Sequence, residues 1–139
     1  AEDIKIAAGS AYPLAEERTV EFKGRDLVTG LPRAIEVSSV ELREALSGSI
    51  SAIIDAVKTT LEETPPELVA DIMDVGIFLA GGGALLAGMD QRISYETKMP
   101  VHVPENPVTC VVRGAAKTLE ELDTLRKVLV SDDRDKRLR

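Results

Sequence analysis

Apolar and polar residues alternate with a period of two in two stretches near the start of the chain. The first is Glu17 to Gly24, where Val20 and Phe22 fall on one side, and the second is Ala34 to Val37. This alternation is typical of strands with one buried face. The intervening DLVTGLP contains the Thr-Gly and Pro residues of a turn. We therefore predict a small antiparallel hairpin.

A helical period replaces the alternation after Val37. Ser38 or Ser39 can cap a helix, with Glu41 or Glu44 in its first turn. An apolar stripe then follows at helical spacing, and we expect it to face the core: Ile50, Ile53, Ile54, Val57 and Leu61. We expect Gly48-Ser49 to interrupt this helix, because glycine is unfavourable in a helix interior.

Other segments also have patterns typical of regular structure. Ala1 to Gly9 is interpreted as the end of a helix, and Pro66 to Asp74 as a short helix that starts after Thr64-Pro65. We also predict a short strand from Val101 to Val103. A long helix is expected from Pro107 onward, with apolar residues at helical spacing: Val108, Val111, Ala115, Leu119, Leu122, Leu125 and Leu129.

The stretch Val75 to Asp90, VGIFLAGGGALLAGMD, predicts a strand, a tight turn and a helix. Its first apolar residues fit a strand buried on both faces. Three glycines follow at Gly81 to Gly83; they permit positive φ and leave no Cβ in the way of a ligand. We expect a helix from about Ala84 to Thr97, which would place the glycines at a helix N-terminus, where anions are attracted.

Two observations limit this interpretation of the glycines. Strand-to-helix turns also contain glycine purely for tight packing, and the sequence leaves that alternative open. The stretch also matches neither common phosphate-binding motif, because no lysine follows before Lys98 and Leu86 stands where a third Rossmann glycine would be. A nucleotide bound here would need other groups to hold its phosphates.

Composition narrows the class of protein. A net charge of −7 argues against a nucleic-acid binder, which needs a basic face. Cys110 is the only cysteine, so no intrachain disulfide can form. No apolar run approaches the length of a membrane span. We assign no role to the single histidine, His102, and interpret the carboxylates of Asp71 and Asp74 as a solvated surface.

The glycine-rich stretch resembles the adenosine-contacting turn of the actin-like ATPase superfamily. Four further stretches narrow the resemblance to the MreB family of bacterial cell-shape proteins: GSAYPL, GRDLVTGLPR, TPPELVADIMD and PVTCVVRGAAKTLEEL. They lie in the family's order and spacing through Leu122. The resemblance covers nearly the whole chain but only the C-terminal part of the family's sequence. Ala80 and Ala87 depart from it, standing where Thr and Arg are expected.

The resemblance implies an α/β fold, namely the C-terminal half of the actin-like, ribonuclease-H-like ATPase fold. A mixed-sheet core subdomain on the nucleotide side is expected from residues 1–11 and 75–130. A small subdomain with the antiparallel hairpin and helices is expected from residues 12–74. The charged residues 131–139 are expected to form a disordered tail.

The resemblance also implies a binding site for ATP. Gly81, Gly82, Gly83 and Ala84 are expected to approach the base and sugar, and Glu2, Asp3 and Lys5 to approach from the opposite wall. The Mg²⁺ ion and the phosphates would be held mainly by the N-terminal half, which is missing here. We therefore expect no catalytic residue and no metal ligand in this chain, and no ATPase activity from the chain alone.

The implied function is that of a cytoskeletal protein that polymerises with itself into membrane-associated filaments and organises cell-wall synthesis in rod-shaped cells. The expected location is the cytoplasm, at the inner face of the cell membrane. Expected partners are further copies and the cell-wall elongation machinery with its membrane proteins, with membrane contact through the missing half. Two alternatives remain: half of a small-molecule kinase of the same superfamily, and an interaction module or chaperone-type ATPase fragment.

Overall fold

A computed structural model describes residues 2–125 of the chain, without the side chain of Asp123. The helices are α1 (Glu2–Ala8), α2 (Ser39–Glu63), α3 (Pro66–Val75), α4 (Met89–Thr97), α5 (Cys110–Glu120) and α6 (Leu122–Leu125), with a 3₁₀ helix at Gly82–Leu85. The strands are β1 (Thr19–Arg25), β2 (Pro32–Ser38), β3 (Ile77–Phe78) and β4 (Val101–His102). The predicted tail, residues 131–139, lies outside the described residues.

The predicted hairpin is confirmed, with β1 and β2 antiparallel and Phe22 opposite Ile35. The expectation of a buried face is wrong, because Phe22 is 39% and Ile35 44% exposed. Val20 and Val37, nearer the base of the hairpin, are half-buried. The hairpin contacts α1 and α2, and its apolar side chains further along remain exposed.

Helix α2 begins where the sequence predicts. Ser38 is the N-cap and forms a capping box with Glu41: the Ser38 Oγ accepts from the Glu41 N–H at 3.2 Å, and the Ser38 N–H donates to the Glu41 carboxylate at 2.8 Å. The predicted interruption at Gly48-Ser49 is wrong, because the helix is continuous. A glycine in a helix interior costs only about 1 kcal/mol relative to alanine, and packing of the following apolar turns outweighs that cost.

The core lies where α2, α4 and the segment after α1 meet. It is formed by Ala11, Ile50, Ile54, Met89 and Ile93, and partly buried residues surround it: Leu46, Val57, Ile77, Leu79, Leu86 and Val101. The predicted stripe on α2 is therefore confirmed at Ile50 and Ile54. Ile53, by contrast, is 45% exposed.

Strands β3 and β4 form a short parallel pair, with Ile77 opposite Val101 and Phe78 opposite His102. The expectation of a strand buried on both faces is wrong here, since Phe78 is 64% exposed. Val75, predicted to open this strand, instead ends α3. The pair nevertheless fixes the direction from which the chain enters the glycine turn.

Two helix boundaries differ from the predictions. Helix α4 starts at Met89 rather than near Ala84, because Gly88 adopts a left-handed conformation immediately before it. Helix α5 starts at Cys110 rather than Pro107, and Glu121 separates it from α6. Leu129, the last residue of the predicted stripe, lies outside the described residues.

Candidate functional site

The glycine turn directly follows β3. The Leu79 N–H donates to the His102 carbonyl at 2.9 Å, which extends the parallel pairing by one residue. The Gly81 N–H then donates to the Pro107 carbonyl at 2.7 Å. Gly81 has φ of 84°, a left-handed value that favours glycine. The turn is thus attached to both the strand pair and the segment before α5.

After Gly81 the backbone forms a single turn of 3₁₀ helix. The Ala84 N–H donates to the Gly81 carbonyl, and the Leu86 N–H to the Gly83 carbonyl, each at 3.2 Å. The expected N-terminus of a long α-helix is therefore wrong, and with it the expectation of a substantial helix dipole at the glycines. Any attraction for a ligand must come from the individual peptide groups of this turn.

Those peptide groups are accessible. Gly82 and Gly83 are exposed, and within residues 2–125 their N–H groups have no hydrogen-bond acceptor. A Cβ added at Gly81, Gly82 or Gly83 would meet no atom within 4 Å, so the space in front of all three is open. The turn therefore presents exposed backbone with two free N–H donors to the open space in front of it.

The other predicted site residues lie on α1. Glu2, Asp3 and Lys5 are all exposed, and α1 packs against β1 and α2. Within residues 2–125, no hydrogen bond or ion pair connects these three side chains to the glycine turn. The structure therefore does not bring the two predicted sets of side chains into direct contact.

The backbone does connect the two regions. Ser10, two residues after α1, forms a parallel bridge with Ala87. The Ala11 N–H donates to the Ala87 carbonyl at 2.8 Å. The end of α1 is thus fixed beside the exit of the glycine turn, so that α1 and the turn belong to the same side of the core.

Sequence reasoning missed two residues that shape this region. Gly88 has φ of 72°, and a Cβ there would lie 2.8 Å from the Tyr12 Cβ. Pro107 is buried, and its carbonyl anchors Gly81. The glycine in LLAGMD was a visible signal for a helix start at Met89. The role of Pro107 depends on a contact 26 positions away and has no local signal.

His102, to which no role was assigned, is the exposed second residue of β4. Its Nε2 is 3.2 Å from the Val75 carbonyl, and its ring lies 5.0 Å from the Phe78 ring. Cys110 is half-buried, and its Sγ donates to the Pro107 carbonyl at 3.1 Å. These contacts give both residues a structural role.

The chemistry available at the turn can be compared with the needs of a nucleotide. An open glycine backbone fits the flat base and the sugar. In residues 2–125, no group of three or more His, Cys, Asp or Glu side chains is arranged to hold a metal ion. The turn itself carries no cationic side chain for phosphates. These residues thus fit the adenosine portion of a nucleotide.

None of the helices within residues 2–125 is both long and apolar enough to cross a membrane.

Solved structures give the class of protein. The chain is similar to MreB5 of Spiroplasma citri bound to ADP, with a TM-score of 0.83 and 36% identity over 91% of this chain and 38% of that one. It is equally similar to MreB5 bound to AMPPNP, with a TM-score of 0.82 over 92% and 39% of the two chains. The chain therefore has the α/β architecture of an actin-like protein, as predicted.

The sequence comparisons then give the family. The family model for MreB/Mbl protein matches residues 1–127, and the chain belongs to the MreB/Mbl family. It is 50% identical over 127 residues to the cell shape-determining protein Mbl of Bacillus subtilis, covering 91% of this chain and 38% of that protein. It is 48% identical over 123 residues to the cell shape-determining protein MreB of Escherichia coli, covering 88% and 35%.

The chain thus spans little more than a third of the length of these relatives. Family membership favours the first of the three functional hypotheses, the cytoskeletal one, over the kinase and chaperone alternatives.

Proposed function

We propose that this chain forms the adenosine-side wall of the ATP site in an actin-like protein that determines cell shape. The observation that carries the proposal is the glycine turn, where Gly81 fixes the backbone and Gly82 and Gly83 present free N–H groups to open space. The similarity to MreB5 structures bound to ADP and AMPPNP supports a nucleotide as the ligand.

In this proposal the adenine and ribose lie against the backbone of Gly81, Gly82, Gly83 and Ala84. The charged side chains of α1, Glu2, Asp3 and Lys5, approach the nucleotide from the other side; their exposure leaves them available for that contact. Mg²⁺ and the phosphates are held by residues outside this chain. The chain alone therefore hydrolyses no ATP.

The cellular role proposed is that of the named relatives, the determination of cell shape. ATP binding in the longer protein favours polymerisation with further copies into filaments at the inner face of the cell membrane. Those filaments organise the cell-wall elongation machinery. The support for this role is 50% identity to Mbl over nearly all of the chain.

A chimera tests the proposal in cells. Residues 1–127 of this chain replace the matching segment of Bacillus subtilis Mbl, and the chimera is expressed in cells that lack Mbl. We expect cell width and shape to be restored. Gly81→Val should abolish the rescue, because a β-branched residue is strained at φ of 84°. The control Gly48→Ala lies in the exposed middle of α2 and should rescue fully.

Immunoblotting shows whether each chimera accumulates. If the unmodified chimera accumulates but does not restore shape, the proposed cellular role is wrong. If Gly81→Val restores shape as well as Gly48→Ala does, the glycine turn is not part of the functional site.

A further inference from the structure

A small cavity lies between α2 and α4, on a different part of the molecule from the glycine turn. Its volume is about 50 Å³, and its lining residues are Ala11, Arg43, Ser47, Ile50, Ser51 and Arg92. A single water needs only about 10–15 Å³ of such volume, so the cavity exceeds the needs of one water. It is far too small for a nucleobase or a sugar. Two of its six lining residues are arginines.

Arg92 has one of its donors without a partner. Its terminal nitrogen donates to the Glu96 carboxylate at 3.0 Å, which holds the guanidinium at the edge of α4. Its Nε is shielded from solvent and has no acceptor among residues 2–125. A buried donor on a charged group is costly when it is left without an acceptor. Arg92 therefore favours an acceptor in the cavity that it lines.

Arg43 is held in place by acceptors that do not line the cavity. One terminal nitrogen donates to the Glu17 carboxylate at 2.7 Å, and the other donates to the Ser10 hydroxyl at 2.9 Å. This second nitrogen also reaches the Tyr12 carbonyl at 3.3 Å. The side chain of Arg43 is only 20% exposed. A positive group is therefore fixed beside the cavity, and its position does not depend on a ligand.

The two serines that line the cavity differ in whether their hydroxyl protons are free to donate. Ser47 donates its hydroxyl proton to the Glu44 carbonyl at 2.7 Å, so it has no proton left for a ligand. Ser51 has no hydrogen bond within the described part of the chain, and its hydroxyl is free to donate. The cavity thus offers at least two donors, from Arg92 and Ser51.

Each arginine that lines the cavity is paired with one carboxylate, Arg43 with Glu17 and Arg92 with Glu96. Glu96 is also shared with Lys58 at 2.6 Å, so the charge of Arg92 is only partly offset by its partner. A neutral water would satisfy one donor. An anion would accept from both donors and would also interact favourably with the guanidinium groups.

We infer that this cavity binds a small oxyanion, of the chemical class of inorganic phosphate. Arg92 and Ser51 donate to its oxygens, and the fixed charge of Arg43 attracts it. Arg43 and Ser51 belong to α2, in the predicted small subdomain, whereas Arg92 belongs to α4, in the predicted core subdomain. The bound anion connects these two helices, and so stabilises the junction between the two parts of the chain.

The test is a titration of the 139-residue chain with sodium phosphate at constant ionic strength, with sodium chloride as the compensating salt. Isothermal calorimetry measures the affinity, and circular dichroism measures the melting temperature. We expect saturable binding of one phosphate per chain. Because phosphate also stabilises proteins by exclusion from their surface, the expected result is a rise in melting temperature with phosphate that is larger for wild type than for Ser51→Ala. Arg92→Met should weaken binding by roughly ten- to a hundredfold, because a charge-assisted hydrogen bond is lost.

Two further variants make the test decisive. Arg113→Met removes the same charge from an exposed position on α5 and should leave the affinity unchanged. Ser51→Ala removes one exposed hydroxyl, so it should fold normally and bind about tenfold more weakly; it decides the matter if Arg92→Met does not fold. The absence of saturable phosphate binding would show that the cavity holds water only, and equal affinities of wild type, Arg92→Met and Ser51→Ala would show that phosphate binds elsewhere; either result overturns the proposal.

Discussion

Three glycines around the candidate site have positive φ. The space around each glycine indicates whether its role is structural or whether it faces a ligand. Gly76 and Gly88 have φ of 89° and 72°, and a Cβ at either would lie 2.8 Å from another atom. Gly81 has φ of 84°, but a Cβ there would meet nothing within 4 Å. The conformation of Gly81 is therefore required by the turn, while the space in front of it is left open.

Gly76→Ala should destabilise the chain. The new Cβ would lie 2.8 Å from both the Pro100 carbonyl and the His102 ring, at a backbone angle that costs about 1–3 kcal/mol for a residue other than glycine. Urea denaturation followed by circular dichroism measures the loss in the free energy of unfolding.

Gly48→Ala is the matched substitution, and it is expected to raise the free energy of unfolding rather than lower it. Gly48 lies inside α2 with nothing within 4 Å of an added Cβ, so alanine should stabilise the helix by about 0.5–1 kcal/mol. A Gly76→Ala variant as stable as wild type would contradict the contacts described at the start of β3.

At the scale of elements, local signals located most of the secondary structure. The Ser38 cap and its Glu41 partner, three residues apart, define the start of α2. Likewise, the alternation around Phe22 and the turn at Gly30 define the hairpin. These elements could be predicted because the residues that define each one lie within a few positions of each other in the sequence.

The errors share a different physical origin. Gly48 did not break α2, because packing of Ile50 and Ile54 in the core holds the helix together. Helix α4 starts late because Gly88 packs against Tyr12, 76 positions earlier. Burial of the β1 and β3 faces was over-predicted for a related reason. An apolar pattern shows that a face is suited to burial but not which segment covers it.

The candidate site was predictable to a similar extent. The three consecutive glycines located the turn from the sequence alone, and its resemblance to a known family implies a nucleotide ligand, which stays a prediction. The anchoring of Gly81 by the Pro107 carbonyl and the bridge between Ser10 and Ala87 were not predictable, since both join distant parts of the chain.

The connection between the loop before β1 and helix α2 depends on pH. Glu17 accepts hydrogen bonds from Arg43 and from the buried Ser39 hydroxyl. The pKa of the Glu17 carboxyl is below its ordinary value. The hydrogen bond from Arg43 is the largest cause, followed by the hydrogen bond from Ser39. A carboxylate with a lowered pKa in the folded state stabilises the chain at pH values above its unfolded pKa. That contribution is lost as the pH falls.

We therefore expect the melting temperature to fall as the pH drops below about 4.5, the ordinary pKa of a glutamate, towards the lower pKa of Glu17 in the folded chain. Glu17→Gln should make this fall shallower and lower the melting temperature at pH 7, because the ion pair with Arg43 is removed. Glu67→Gln, at an exposed position that forms no ion pair within residues 2–125, is the control and should follow wild type. Identical pH profiles for Glu17→Gln and Glu67→Gln would contradict the assigned role of Glu17.

In the molecule as a whole, several apolar side chains that recur at helical spacing are exposed. On α5 and just before it, Val108 is 61%, Val111 68% and Leu119 72% exposed. The relatives are nearly three times as long as the matched segment. We expect these faces to contact the remaining part of such a longer protein, which would also hold the phosphates and Mg²⁺ of the proposed site.

We propose that the glycine turn is the adenosine wall of a nucleotide site that is incomplete in this chain alone. Isothermal titration of Mg²⁺ and AMPPNP tests it on three samples. These are the 139-residue chain, a chimera in which residues 1–127 replace the matching segment of Spiroplasma citri MreB5, and that chimera with Gly81→Val. Circular dichroism melts establish that each sample is folded.

We expect no detectable heat with the chain alone and saturable binding by the chimera. Gly81→Val should weaken binding at least about tenfold, a loss of about 1.4 kcal/mol or more. Saturable binding by the isolated chain would contradict the claim that the phosphates are held elsewhere. Equal affinities of the two chimeras would contradict the claim that the nucleotide lies against the glycine turn.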